Sequence, residues 1–206
     1  MKTFNIDDGS KVFFTSDTHF GHKNIINFCH RPYRDENHMN ECLINNWNAV
    51  VNKDDFVFHL GDFAIGDSKL WINTLKRLNG NIVLIQGNHD IRNYRNTYDK
   101  FFLYVDNELF ITVAGQPIYL NHYPFLTFPG IFRNINPAWQ LFGHVHLNRK
   151  REYNTGKDFE RLEYLLPLQY EVGTDFHNYH PVPFDIINER IKYQIANNVN
   201  QLHWIK

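Results

Sequence analysis

The sequence predicts an α/β fold in which two sheets pack face to face and helices lie outside them. Three observations lead there. Apolar runs of strand length alternate with helix-period segments in the first half. The second half carries short strand candidates with few helices between them. Asp, His, Asn and Gly residues gather just past the ends of the apolar runs, where the loops of an open α/β sheet bind ligands.

Each element follows from local pattern. Lys11-Val12-Phe13-Phe14-Thr15-Ser16 is a short run of β-formers and predicts a buried strand. Met39, Leu43, Trp47, Val50 and Val51 recur at helical spacing and predict a helix over about 37–51. Phe56 to Leu60 is a second strand. Ser68 reads as the N-cap of a second helix, with Leu70, Trp71, Leu75 and Leu78 as its apolar face and Gly80 at the C′ position. Asn81 to Gln86 is a third strand. This β-α-β-α-β order predicts parallel strands joined by right-handed crossovers. Leu109–Val113, Pro117–Leu120, Trp139–Phe142 and Gln169–Val172 are the strands of the second half, with Gly115-Gln116 as a hairpin turn between the first two. Ile186 to Ile195 reads either as a last helix or as an irregular tail.

Composition bounds the function classes. The 206 residues suit one domain, 1–206, and 43% apolar content with 16% aromatics excludes a disordered chain. A formal net charge of −1 provides no general field for nucleic acid, which is therefore not the favoured partner, although a local basic patch would escape this count. Cys29 and Cys42 form no C-x-x-C pair, Met1 to Asp8 lack a signal-peptide apolar core, and no apolar run reaches the length of a membrane span. A cytoplasmic protein without a membrane span is expected, and nothing indicates an obligatory protein partner.

Twelve histidines are the unusual feature, and their positions decide what they mean. Asp17 and His19 follow the first strand, Gly61-Asp62 the second, and Gly87-Asn88-His89-Asp90 the third. Asn121-His122 and Gly143-His144-Val145-His146 follow two strands of the second half. Asp supplies hard oxygen that can bridge cations, His supplies nitrogen, and Asn a neutral carbonyl oxygen. Mixed N/O donors suit Mn, Fe, Zn or Ni better than Ca or Mg alone. No thiolate lies near them, which argues against a structural cysteine-rich zinc site.

Taken together and in order, these five blocks resemble the motifs of the calcineurin-like metallophosphoesterases, over residues 12 to about 180. Ser16-Asp17-Thr18-His19-Phe20-Gly21-His22 and His122-Tyr123-Pro124 are most similar to the small single-domain bacterial and phage members. The resemblance implies a four-layer α/β/β/α sandwich of two mixed sheets with flanking helices. It also implies two divalent cations, Mn2+ foremost, with Fe, Zn, Ni or Mg as alternatives. Asp17, His19 and His146 would hold the first ion, Asn88, His122 and His144 the second, and Asp62 would bridge them. The activity implied is phosphoester hydrolysis, with a phosphodiester in first place. In that chemistry two ions roughly 3.5–4 Å apart activate a bridging water for in-line attack at phosphorus. His89 would donate a proton to the leaving oxygen, and Asp90 would orient and charge the His89 ring.

Other residues carry weaker signals. His22 is either a substrate phosphate contact or a packing residue at a helix start. Arg31 is a candidate phosphate contact, against the alternative of a solvated surface arginine. His59 reads as a core residue behind the site, and Asp175 as a residue that orients a ligand histidine. Segments 123–138 and 147–167 read as insert-like loops. Their aromatics Phe125, Phe128, Phe132, Tyr153 and Phe159 either stack a base or cover the second sheet. The substrate is a phosphoester, a nucleotide being one candidate. A phosphomonoesterase on the same site, or a non-catalytic metal-binding scaffold, are the competing readings.

Overall fold

The computed structural model describes residues 3–154 and 157–205. Residues 1 and 2, part of the N-terminal stretch read for a leader, and residues 155 and 156, within the second insert-like loop, lie outside the described residues, as does 206.

Ten strands are described. They are β1 (Phe4–Ile6), β2 (Val12–Thr15), β3 (Phe56–His59), β4 (Asn81–Ile85), β5 (Tyr104–Asp106), β6 (Glu108–Val113), β7 (Gln116–Asn121), β8 (Trp139–Phe142), β9 (Gln169–Glu171) and β10 (Val182–Pro183). They form two mixed sheets, in the orders β10-β2-β3-β4-β5 and β1-β6-β7-β8-β9. β2, β3 and β4 are parallel, as the β-α-β-α-β pattern predicts, β5 extends the sheet in parallel, and β10 adds an antiparallel edge. In the second sheet β7, β8 and β9 are parallel, so both sheets present strand carboxyl ends along one edge.

The helices are α1 (Lys23–Phe28), α2 (Glu36–Val50), α3 (Ser68–Leu75), α4 (Asp90–Asn93), α5 (Lys157–Arg161) and α6 (Phe184–Asn197). α2 starts where Asp35 accepts a hydrogen bond from the His38 amide at 2.8 Å. α3 starts one residue earlier than the Ser68 cap predicts. Asp67 caps it, accepting from the Leu70 amide at 2.9 Å, and the Ser68 hydroxyl instead meets that of Tyr98. α3 also stops at Leu75, so Gly80, with φ +97, serves the turn into β4 and not a helix cap. The β6–β7 turn is Ala114-Gly115, with φ of 46 and 78, one residue before the predicted pair. Two successive left-handed residues match the twist of a tight hairpin. The 186–195 stretch is helical, within α6.

Alternation along the strands divides the core. One face of the first sheet, Phe13, Val57, Ile82 and Leu84, packs under α2 and α3 through Met39, Leu43, Trp47 and Trp71. The opposite face, Phe14, Phe58, Val83 and Ile85, meets Leu109, Ile111, Leu120 and Leu141 of the second sheet, and Ile187 and Ile191 of α6 join them. Each such side chain contributes roughly 1.5–3 kcal/mol on burial. The outer face of the second sheet is covered at Tyr119 by Phe128 from segment 123–138. Phe128 thus covers the sheet, whereas Phe132 on the same segment is 85% exposed. Among the described residues no helix is long and apolar enough to cross a membrane.

Candidate metal centre

The two sheets are stitched together at their shared carboxyl edge, and the polar motifs sit on that seam. The Ser16–Gly173 bridge links the segments beyond β2 and β9, and the Thr174 amide donates to the Ser16 carbonyl. The Asp17 amide donates to the Gly61 carbonyl at 2.9 Å, and that of Gly143 to the His122 carbonyl at 3.0 Å. The Val172 amide donates to the Phe142 carbonyl and the His144 amide to Asp17 Oδ2, so segments distant in sequence are held against each other.

The backbone is bent sharply there. Asp17, His19, Asp62, His144 and His146 all have positive φ, between 47 and 71. Left-handed backbone at a non-glycine residue costs on the order of 1–3 kcal/mol and persists where the surroundings over-determine it. Five of the seven candidate ligands carry this strain, which turns their side chains into one space. The glycines beside them leave that space open: a Cβ on Gly143 would stand 2.4 Å from Ser16 Oγ and 2.6 Å from Asp17 Oδ2, and one on Gly87 would stand 2.4 Å from Asp62 Oδ1.

The side chains converge around Asp62. His19 Nε2 and His122 Nε2 lie 3.6 and 3.7 Å from its Oδ2, and His89 Nε2 lies 3.9 Å away. His146 Nε2 stands 3.7 Å from Asp17 Oδ1. These spacings are too long for hydrogen bonds and suit donor atoms that share an ion. Three overlapping groups result, in which donor atoms lie within 4.8 Å of one another: Asp17–His19–His146, His19–Asp62–His89 and Asp17–Asp62–His122. Asn88 Oδ1 reaches His122 Nε2 at 3.1 Å, and the His144 ring lies 5.1 Å from that of His122.

Two observations test whether cations fit this space. Asp17 Oδ1 and His19 Nε2 are buried without a hydrogen-bond partner, although buried polar atoms are almost always paired. Two carboxylates are also crowded together: burial, then the Asp17 charge, pushes Asp62 above the usual carboxylate range. Divalent cations would satisfy both.

Neighbouring groups fix the ring tautomers. His122 Nδ1 donates to the Leu60 carbonyl at 2.7 Å, which leaves its Nε2 lone pair facing Asp62. His146 Nδ1 bonds Asp175 Oδ2 at 2.8 Å, leaving Nε2 toward Asp17. Burial opposes ionisation of Asp175, but Arg31 and His146 outweigh it and hold the carboxyl down to about 2. Asp175 thus orients the ring of His146, a candidate ligand. Thr18 Oγ1 donates to the Phe63 carbonyl and so accepts from His59 Nε2 at 2.9 Å. Burial lowers His59 to about 3, and the ring stays neutral behind the site.

Two expected roles need correction. Arg31 does not face the opening. It is buried, with Nε and Nη2 on Asp175 at 2.8 and 2.9 Å, and with the Asp17 and Thr18 carbonyls accepting from its remaining N–H groups. A guanidinium so enclosed props the Asp17 loop and has no fork left for a substrate phosphate. Asp90 does not clasp the His89 ring either. Its carboxyl accepts from the amides of Asp62, Phe63 and Gly87 and so braces the loops that carry Asp62 and Asn88. Burial pushes it up to about 7.

His89 and His22 lie at the mouth. The His89 side chain is 39% exposed, and its amide donates to Asp62 Oδ1. His22 Nδ1 is 3.4 Å from His19 Nδ1, and its ring lies 5.9 Å from that of His89. Sequence reasoning missed Ser16, whose hydroxyl donates to Asp17 Oδ2 at 2.6 Å. It also missed Cys29, which the fold brings within 4.8 Å of donor atoms of His146 and Asp175. One sulfur is not the multi-cysteine set of a structural zinc site.

The similarities to known proteins agree with this geometry. Residues 11–159 match the model of the calcineurin-like phosphoesterase superfamily domain. An uncharacterised protein of Methanocaldococcus jannaschii is 34% identical over 197 residues, covering 93% of this chain and 98% of that protein. The gene 66 protein of Mycobacterium phage L5 is 39% identical over 84 residues, covering 39% of this chain and 40% of its own. A protein of unknown function from Aquifex aeolicus shares the fold, with a TM-score of 0.63 and 24% identity over 86% of this chain and 97% of that one. The motifs, the fold and these matches agree that the chain belongs to the calcineurin-like phosphoesterase superfamily.

Proposed function

We propose that this protein, a phosphoric ester hydrolase by family, is a phosphodiesterase working through a dinuclear centre. Asp17, His19 and His146 would hold one ion and Asn88, His122 and His144 the other, with Asp62 between them and Mn2+ as the foremost candidate metal. The observation that carries this reading is the placement of Asp62 Oδ2 within 3.7 Å of His19 Nε2 on one side and of His122 Nε2 on the other.

Two bound cations would supply the charge that makes water a nucleophile near neutral pH and offsets negative charge developing on the phosphoryl oxygens. The chain's own residues do the rest. His122 and His146 present Nε2 because Leu60 and Asp175 occupy Nδ1. His89 stands at the open side and donates a proton to the departing oxygen. His22, beside His19 and His89, contacts the phosphoryl group as it enters. Asp90, Arg31 and Asp175 keep the strained loops in place.

Metal analysis with hydrolysis of a bis-aryl phosphate tests this. Two ions per chain and turnover that depends on them are expected. A metal-replete protein inert toward both aryl diesters and monoesters would revive the scaffold reading, and turnover of monoesters alone would move the assignment to a phosphomonoesterase.

A further inference from the structure

Beside His144 the surface opens into a cleft of about 520 Å3, walled by Tyr123, Phe125 and Leu126 on one side and by Tyr164 and Leu165 on the other. Its volume falls in the range of sites for small organic ligands. We infer that this cleft is the subsite for the organic part of the phosphoester, and that the group it takes is a planar aromatic one of nucleoside size. The assignment rests on the reading of the adjoining ligand ring as a phosphoester site, because His144 belongs to both.

The cleft is built. Gln140 and Gln169 are buried and face each other across the β8–β9 register. Gln140 Oε1 accepts from the Phe125 amide at 3.1 Å and from Gln169 Nε2 at 2.6 Å, and Gln140 Nε2 donates to the Tyr123 carbonyl at 3.0 Å. Gln169 Nε2 donates to the Phe125 carbonyl at 2.8 Å, while its Oε1 accepts from the Leu166 amide at 2.9 Å. Both walls therefore hang from one pair of side chains. Leu162, 3% exposed, pins the second wall into the core, and the Asn200 amide group donates to the carbonyls of Leu162 and Glu163. A cleft held this firmly loses little entropy when a ligand enters.

Its lining points to the ligand's chemistry. Leu126 and Tyr164 are 91% and 77% exposed and line the cleft with apolar surface beside the candidate ligand His144. Tyr123 packs its ring edge-on to His144 at 4.7 Å, so the aromatic wall continues from a candidate ligand outward. Aromatic faces in that arrangement stack a base, whichever base it is. A phosphate held at the ligand ring would leave its nucleoside lying in the cleft.

Calorimetric affinities for AMP, ribose 5-phosphate and octyl phosphate test the assignment on the whole chain. AMP should bind at least about tenfold tighter than ribose 5-phosphate, a gap consistent with one stacked base. Leu126→Ala with Tyr164→Ala should remove most of that gap. Both side chains are exposed, so a retained melting temperature will show that the fold is intact. Phe132→Ala, exposed on the same inserted segment but outside the cleft, should leave the gap unchanged. Equal binding of AMP and ribose 5-phosphate, a gap that survives the double substitution, or tighter binding of octyl phosphate than of AMP would each overturn the inference. A protein that hydrolyses aryl diesters yet shows no AMP preference loses only the cleft assignment. One that prefers AMP yet hydrolyses nothing keeps the cleft and loses the hydrolase reading.

Discussion

The two halves of the candidate centre are built differently. Around Asp17, His19 and His146 the protein is closed: Asp17 and His19 are buried, Ser16 and the His144 amide hold Asp17 Oδ2, and the Arg31–Asp175 pair fixes His146. Around Asn88, His122 and His144 it is open. His122 is buried and tied to Leu60, but His144 is exposed and opens onto the aromatic cleft. The difference separates two tasks. A closed half would keep an ion and fix its geometry, while an open half would leave room for a substrate to approach. Asp62 Oδ2 stands within 3.7 Å of a histidine of each half, and Asp17 also has donor atoms of both halves within 4.8 Å.

Removing the shared group should have the largest effect. Asp62→Ala is expected to lower kcat/KM for an aryl diester by about 10³-fold or more, at least about 4 kcal/mol of barrier, with a matching loss of metal. Next in size, His89→Ala should lower turnover by about 10²–10⁴-fold, the usual worth of a positioned acid, with metal content unchanged. The deficit should shrink for diesters whose leaving groups are more acidic, because they need a proton less. Equal deficits across leaving groups would place His89 in binding rather than proton transfer. Asp175→Asn probes the closed half alone. A group behind a ligand histidine typically supports metal affinity by about 10–100-fold, and that loss should appear together with a lower melting temperature, because Arg31 is left buried with a weaker partner. Hydrolysis at saturating metal should recover much more than in Asp62→Ala.

The smallest effect concerns pH and lies away from the open half. Burial holds His177 down to about 3, and its Nε2 meets the Glu171 carbonyl at 3.1 Å. A depressed histidine contributes stability that is present above its unfolded value of about 6.5 and is lost as pH falls toward the folded one. The melting temperature should therefore fall from about pH 7 to about pH 5, and less steeply in His177→Gln. An unchanged slope would remove His177 from the cause.

The convergence of these Asp, His and Asn residues was legible in the sequence because each lies just past a run of β-formers, and strand polarity then brings the runs' ends together. Of the braces, Asp175 was foreshadowed by its place after a strand, but the roles of Arg31 and Asp90 were not. Arg31 and Asp175 lie 144 positions apart, and no local pattern marks an arginine as buried. Asp90 adjoins His89 in sequence, yet its carboxyl turns to the backbone amides of Asp62 and Phe63. Gln140 left a trace, as a polar residue inside the run Trp139-Gln140-Leu141-Phe142, but only its pairing with Gln169 explains it. β1, β5 and β10 are three residues or fewer, too short for periodicity to reveal.

Metal stoichiometry of the wild-type chain and of Asp62→Ala, measured by mass spectrometry beside aryl diester hydrolysis, tests the central claim most directly. Two ions per wild-type chain are expected, falling to one or fewer in the variant together with the loss of turnover. A single ion in an active wild-type chain, or full activity in Asp62→Ala, would contradict the dinuclear centre.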